Sequence, residues 1–233
     1  MATLNQLKQI LLTGILLFCI APMLFAQVKK KSVKQKTTTS KHMVVAKPLA
    51  PPQAHISPQL KNFLMLAAAA NVTFTFPKGF REIKAPDNED ISFDYAMELP
   101  GRDFEIWFQA KSQKENYAAY QRTIGNKNTA QANPDSLYLG MGTAQAKAFT
   151  GDDNFLVRDV PKRYRVRYNA DAGKTYLLNL LDAPVTKHYK YALLITLQKD
   201  HIGTILAVCF SNEKGPEFFK NIDKASSCIK FKQ

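Results

Sequence analysis

The residues with the clearest chemical potential are five cations that lie close together, Arg158, Lys162, Arg163, Arg165 and Arg167. The three arginines at 163, 165 and 167 alternate with Tyr164, Val166 and Tyr168, which predicts a β-strand over residues 158–169 with all three on one face. Arginines about 6.5–7 Å apart on one face can bind a phosphate-rich or carboxylate-rich partner through forked hydrogen bonds. The alternative is an edge strand whose charges prevent edge-to-edge aggregation.

Other chemistry-bearing patterns are weak. Each of the four histidines, His42, His55, His188 and His201, lacks a second ligand at metal-binding spacing. The sequence also lacks a phosphate-binding GxxxxGK loop and a GxSxG nucleophile elbow. We therefore expect no metal, no cofactor and no catalytic residues, and a protein that is not an enzyme.

The first 26 residues have the pattern of a secretory signal peptide. Lys8 provides the positive charge, residues 10–25 are mainly apolar, and the small residue Ala26 stands at the expected cleavage position. This pattern predicts a periplasmic or secreted protein with no transmembrane anchor after cleavage. The alternative is a signal that is retained as an anchor.

Residues 27–55 contain seven lysines, no acidic residue and few large apolar side chains. Such a segment buries too little surface to offset the entropy of ordering, which predicts a disordered basic tether. The net charge of the whole chain is +13, but only +5 remains for residues 56–233. The tether is either a solvated spacer or an element attracted to an anionic polymer or an envelope protein, and we expect no specific recognition of nucleic acid.

Two cysteines, Cys209 and Cys228, remain after the signal peptide. In an oxidising compartment they could form a disulfide bond. Cys209 lies in a very apolar segment, however, so the alternative is a pair of buried thiols that behave as small hydrophobic side chains.

The elements that must position these residues follow from apolar periodicity and from helix caps. Residues 192–197 and 205–210 are apolar at consecutive positions, so these two strands need cover on both faces. Further strands are predicted at 72–76, 91–99, 104–110, 158–169, 176–181 and 229–231, and helices at 58–70, 114–123, 134–149 and 216–226. In the strand at 104–110, apolar and other side chains alternate, which indicates that one face is better buried than the other. The last strand, 229–231, is expected to close the sheet.

Four segments carry a resemblance to a known superfamily. They are FTFPKGF (74–80), DYAMELPGRDFEIWF (94–108), YNADAGKTYLL (168–178) and ASSCIKFK (225–232). With the order of the predicted elements, they resemble the PsbP/Mog1/DcrB-like superfamily and a group of exported Gram-negative bacterial proteins without a known function. The resemblance implies a central antiparallel sheet between helices and no shared chemistry, because such domains serve as photosystem accessory, transport-factor and envelope proteins.

Together these patterns predict an α+β protein, with signal peptide (1–26), tether (27–55) and one α/β/α sandwich domain (56–233). Its central sheet is expected to have about 6–7 mainly antiparallel strands, with helices on both faces. Two functions remain open. One is an exported, non-catalytic binding or accessory module of the cell envelope, and the other is a small-molecule-binding or enzymatic domain with a pocket between sheet and helix.

Overall fold

The computed structural model describes residues 56–124 and 131–233, so the predicted signal peptide, the predicted tether and residues 125–130 lie outside the described residues. The described helices are α1 (Pro58–Ala69), α2 (Lys114–Thr123), α3 (Leu137–Thr150), α4 (Lys162–Tyr168) and α5 (Pro216–Ser226). The described strands are β1 (Val72–Phe74), β2 (Arg81–Ile83), β3 (Tyr95–Glu98), β4 (Glu105–Ser112), β5 (Leu156–Asp159), β6 (Ala172–Asn179), β7 (Tyr191–Lys199), β8 (Gly203–Ser211) and β9 (Ile229–Phe231).

Seven of these strands form one antiparallel sheet in the order β2-β3-β4-β8-β7-β6-β5. This confirms the predicted α+β class and the mainly antiparallel sheet. The expectation that the last strand closes this sheet is wrong, because β9 pairs with β1 in a separate two-stranded sheet. That pairing joins segments 155–159 residues apart in the sequence, and no local pattern encodes it.

Helices cover both faces of the large sheet, as the double-sided apolar strands predicted. All nine residues of β8 are buried. On the first face, α1 and α5 contribute Phe63 and Phe218 to one apolar cluster. On the second face, α3 contributes Ala146 and Phe149 to another.

Most helix boundaries agree with the capping signals, but the helix predicted over 134–149 begins as a separate 3-10 turn, Pro134–Ser136, before α3. Ser57 caps α1, because its hydroxyl accepts a hydrogen bond from the Leu60 amide at 3.0 Å. Asn71 follows α1 in a left-handed conformation, with φ of 56°. The bounds of α2 are those predicted, and Gly151 ends α3 with φ of 76°.

The prediction of a single strand over residues 158–169 is wrong. The strand β5 ends at Asp159, and the chain then forms the two-turn helix α4. The carbonyl of Pro161 accepts hydrogen bonds from the amides of Tyr164 and Arg165, which starts the helix, and Asn169 ends it with φ of 52°. Over seven residues an alternating pattern does not distinguish a strand from a short helix.

A buried carboxylate corrects a second expectation, that β4 has one better-buried face. Glu105 is only 3% exposed and lies among apolar side chains of the second face. It accepts hydrogen bonds from Lys187 Nζ at 2.5 Å, Trp107 Nε1 at 3.2 Å and the Tyr189 hydroxyl at 3.5 Å. Lys187 and the next residue, His188, have left-handed φ values of 51° and 60°. The Glu105 contacts therefore hold the β6–β7 loop in a conformation that is unfavourable for residues with a side chain.

We expect Glu105 and Lys187 to be energetically coupled. Lys187→Met should lower the free energy of unfolding by about 2 kcal/mol, because it leaves a buried carboxylate without its cation, although Lys187 itself is half exposed. The double variant Glu105→Gln/Lys187→Met should cost at least about 1 kcal/mol less than the sum of the single variants in urea unfolding. Lys190→Met, an exposed lysine of the same loop, is the control. Strict additivity would contradict the coupling.

Two glycines of α3 provide a matched test of how closely this helix approaches the sheet. A Cβ atom at Gly142 would lie 2.6 Å from the hydroxyl oxygen of Tyr176, whereas a Cβ atom at Gly140 would meet nothing within 4 Å. Alanine is favoured over glycine in a helix by about 1 kcal/mol. Gly140→Ala should therefore raise the melting temperature, and Gly142→Ala should lower it because buried Tyr176 must move. Stabilisation by both substitutions would show that the contact is loose.

Candidate binding groove between α4 and α5

A groove of about 190 Å³ opens on the first face of the sheet, between α4 and α5. We call it the α4–α5 groove. Its floor is formed by β6 and β7, and its walls are mainly apolar and aromatic. The lining residues are Val160, Pro161, Tyr164, Tyr168, Thr175, Leu193, Ile195, Phe219, Ile222, Asp223 and Ser226.

The close approach of the chain at Gly173 positions α4 over the sheet. The amide of Val160 donates to the carbonyl of Gly173 at 3.0 Å. A Cβ atom at Gly173 would lie 3.0 Å from Val160 Cγ2 and 2.7 Å from the carbonyl oxygen of Thr196. Any larger residue at position 173 would push Val160 and the start of α4 away from the sheet.

The other end of α4 is also fixed. Tyr168 is buried in the apolar cluster of the first face, and the side-chain amide of Asn169 donates to the carbonyl of Lys232 at 2.6 Å. Burial raises the pKa of the Tyr168 hydroxyl to about 12. The wall formed by α4 is therefore a fixed part of the domain.

The five predicted cations do not share one face. Arg163 and Arg167 are one helical turn apart, and both guanidinium groups lie against the ring of Tyr164, with Cζ 4.8 Å and 5.4 Å from its centroid. Arg165 is directed elsewhere and donates to the carbonyl of Asp171. The structure therefore brings two of the three arginines of the row to the groove and separates the third from them.

The two remaining cations lie near the β5 end of the groove. Arg158 is directly opposite Thr175, a groove residue, in the β5–β6 ladder. Lys162 is the first residue of α4 and is exposed. Among the described residues, Arg158, Lys162 and Arg163 form no ion pair. These three positive charges are available to a negatively charged ligand.

On the α5 side, the polar groups are bonded to one another. Arg167 Nη1 donates to Ser226 Oγ at 3.2 Å and lies 3.5 Å from Asp223 Oδ1. Phe219 is 47% exposed at the rim. The groove thus combines an apolar interior with an exposed aromatic ring and uncompensated positive charge at its edge, which suits a ligand with an apolar part and an acidic group.

A second polar cluster lies at the β7–β8 turn and was not predicted from the sequence. His201 Nδ1 lies 2.9 Å from Asp135 Oδ2, and the His201 ring packs on Tyr117 with 3.8 Å between the ring centroids. Asp135 also accepts hydrogen bonds from Gln198 Nε2 at 3.2 Å and from the His201 amide at 2.7 Å. These contacts hold α2 and the 3-10 turn that precedes α3 against the β7–β8 turn. Asp135 and His201 are 66 residues apart, so their spacing gave no signal.

Cys209 and Cys228 are not bridged in this structure, in which both are free, buried thiols. Each lies among apolar side chains of the first face, where a small hydrophobic side chain fits. Burial raises the pKa of both thiols, that of Cys228 to about 12.

None of the helices in residues 56–124 and 131–233 has the length and apolar character needed to cross a bilayer. Within the same ranges, no three His, Cys, Asp or Glu side chains are placed to hold a metal ion. Comparison of the sequence with models of known families and with curated proteins gave no significant match.

The two thiols should be unreactive in the folded protein. Native protein at pH 8 should react with a thiol reagent at least about a hundredfold more slowly than a small thiol, because burial disfavours the reactive thiolate. After unfolding in denaturant without a reductant, the two thiols of Cys209 and Cys228 should both react. Fewer than two would show that the purified protein contains the disulfide bond instead.

Proposed function

We propose that this chain is an exported, non-catalytic binding module of the cell envelope, periplasmic or secreted, and that the α4–α5 groove is its binding site. The observation that carries the proposal is the groove itself, with its apolar interior and with Arg158, Lys162 and Arg163 at its edge, which form no ion pair among the described residues. The polar groups of Arg167, Asp223 and Ser226 are bonded to one another. This arrangement favours a binding site over a catalytic site.

The proposal assigns complementary roles to the groove and the tether. The signal-like residues 1–26 support export, and the lysines of residues 27–55 support weak attraction to anionic envelope polymers. Such attraction is screened by salt and carries little specificity. Specific recognition is assigned to the groove, where apolar contact and charge act together. The antiparallel sheet between helices also supports membership of the PsbP/Mog1/DcrB-like superfamily, which remains a proposal.

A second candidate function is small-molecule binding, and the presence of a groove between sheet and helix favours it. The volume of about 190 Å³ is below the usual range for drug-sized ligands, about 300–1,000 Å³. The groove therefore accommodates one side chain or the end of an acyl chain better than a whole cofactor. A ligand that stays bound during purification and appears in native mass spectrometry would favour this function over partner binding.

Capture of partners from an envelope extract tests the proposal. The double variant Arg163→Gln/Phe219→Ala should capture at least about tenfold less of the partner than the parent chain, because it removes a charge and an aromatic contact from the rim. The control Arg122→Gln/Phe76→Ala removes an exposed arginine and an exposed phenylalanine elsewhere and should capture as much as the parent.

Deletion of residues 27–55 separates the two contributions. The shortened chain should lose retention on heparin but keep groove-dependent capture. Equal capture by the parent and the groove variant would reject the groove as the binding site.

A further inference from the structure

The strand β5 forms one end of the large sheet, beside the α4–α5 groove. One side of β5 pairs with β6, and among the described residues no strand pairs with the other side. All four residues of β5 are exposed, and two of them are large and apolar, with Leu156 50% and Val157 41% exposed. Such an edge is a template for pairing with another chain.

The register of β5 connects this edge to the groove. Leu156 lies opposite Leu177, which lies opposite Leu193 on β7. Arg158 lies opposite Thr175, which lies opposite Ile195. Residues directly opposite in neighbouring strands share a face, so both rows lie on the groove side of the sheet. The groove floor therefore continues to the edge of the sheet through Thr175 and Leu177, which the helices leave only partly covered.

Charge at this edge differs between the two faces. On the groove face, Arg158 has no acidic partner among the described residues. On the opposite face, Asp159 is paired with Lys174, with Nζ and Oδ1 2.8 Å apart. A strand added beside β5 would place its alternate side chains on the groove face, opposite Leu156 and Arg158.

We propose that β5 and the α4–α5 groove bind an extended, acidic and apolar segment of a partner protein by strand addition. This inference rests on the proposed function of the groove and specifies its partner. Pairing in this sheet is antiparallel throughout. In an added antiparallel strand, the residue opposite Arg158 is followed two positions later by the residue opposite Leu156. The first should be acidic and the second apolar. The recognised pattern is acidic–any–apolar, and backbone hydrogen bonds to β5 supply the rest of the contact.

Charge complementarity selects this occupant over the chain's own tether. Residues 27–55 contain seven lysines and no acidic residue, so they would place like charge opposite Arg158. A second copy of the chain in antiparallel β5–β5 pairing would not supply an acidic residue opposite Arg158 with an apolar residue two positions later. Because opposite residues share a face, Arg158 would lie opposite Arg158, Leu156 or Asn154 of the second copy, and none of these is acidic.

The test uses the full mature chain and three labelled ten-residue peptides that alternate threonine with valine. One contains a central glutamate–threonine–leucine triplet, the second has lysine in place of glutamate, and the third is the glutamate peptide with alternate backbone amides methylated. Binding is measured by fluorescence anisotropy. The parent should bind the glutamate peptide most tightly, and methylation should abolish binding because it removes backbone donors.

A charge exchange separates recognition from any effect on folding. Arg158→Glu should bind the glutamate peptide about three- to tenfold more weakly than the parent, because the cross-strand attraction at position 158 becomes a repulsion. The same variant should bind the lysine peptide more tightly than the parent, because there the repulsion becomes an attraction. Arg122→Glu, which reverses an exposed charge on α2, should bind all peptides as the parent does.

Four results would overturn the inference. Two concern the peptides: the glutamate peptide does not bind up to about 1 mM, or the methylated peptide binds equally well. The third is Arg158-dependent binding of the chain to phosphatidylglycerol vesicles in place of the peptide. The fourth is a parent dimer in light scattering that Val157→Lys dissociates. If capture from envelope extract still depends on Arg163 and Phe219 after any of these results, the strand-addition partner is wrong and the proposed function stands.

Discussion

Burial of β7 and β8 on both faces is the constraint on which the rest of this structure depends. Two central strands with apolar side chains in both directions are stable only between two layers, since each square ångström of apolar surface left in water costs about 25 cal/mol. The helices α1 and α5 form one layer and α3 forms the other. The positions of Phe63, Phe149 and Phe218 in these layers follow from that requirement.

The candidate binding site lies where this cover is incomplete. On the first face, α1 and α5 protect the central strands, but only the seven residues of α4 reach toward β6 and β5. Gly173 lets the chain pass close to the sheet at this point, and buried Tyr168 fixes the far end of α4. Leu177 and Leu193 are thus only partly buried because the covering helix is short. The arginines of α4 then place positive charge beside the apolar surface that the helix leaves open.

The parts of the fold with local signals could be predicted from the sequence. Ser57 with Pro58, the bounds of α2 and Gly151 depend on contacts within a few residues, and the apolar runs of β7 and β8 indicate burial without knowledge of their partners. Residues 158–169 were misassigned because alternating arginines and tyrosines fit both periodicities over two turns. The decisive contact, between Val160 and Gly173, joins two separate segments.

The candidate site was only partly predictable for the same reason. The cations were identified, but their arrangement depends on the helix, which brings Arg163 and Arg167 to one ring and turns Arg165 away. The burial of Glu105 depends on Lys187, 82 residues away. The pairing of β1 with β9 and the contact between Asp135 and His201 are also long-range. Sequence periodicity reports which faces are buried, and only the tertiary structure shows which side chains meet there.

Methyl-group NMR of the full chain during titration with envelope extract tests most directly whether the open part of the first face is the binding site. Leu177 and Leu193 lie on the groove face, and their sequence neighbours Leu178 and Leu194 lie in the cluster of the opposite face. Each pair is therefore an internal control. If the open part of the first face is the binding site, the methyl signals of Leu177 and Leu193 should shift or broaden while those of Leu178 and Leu194 stay in place. Shifts confined to Leu178 and Leu194, or the absence of shifts at all four residues while a partner is captured, would contradict it.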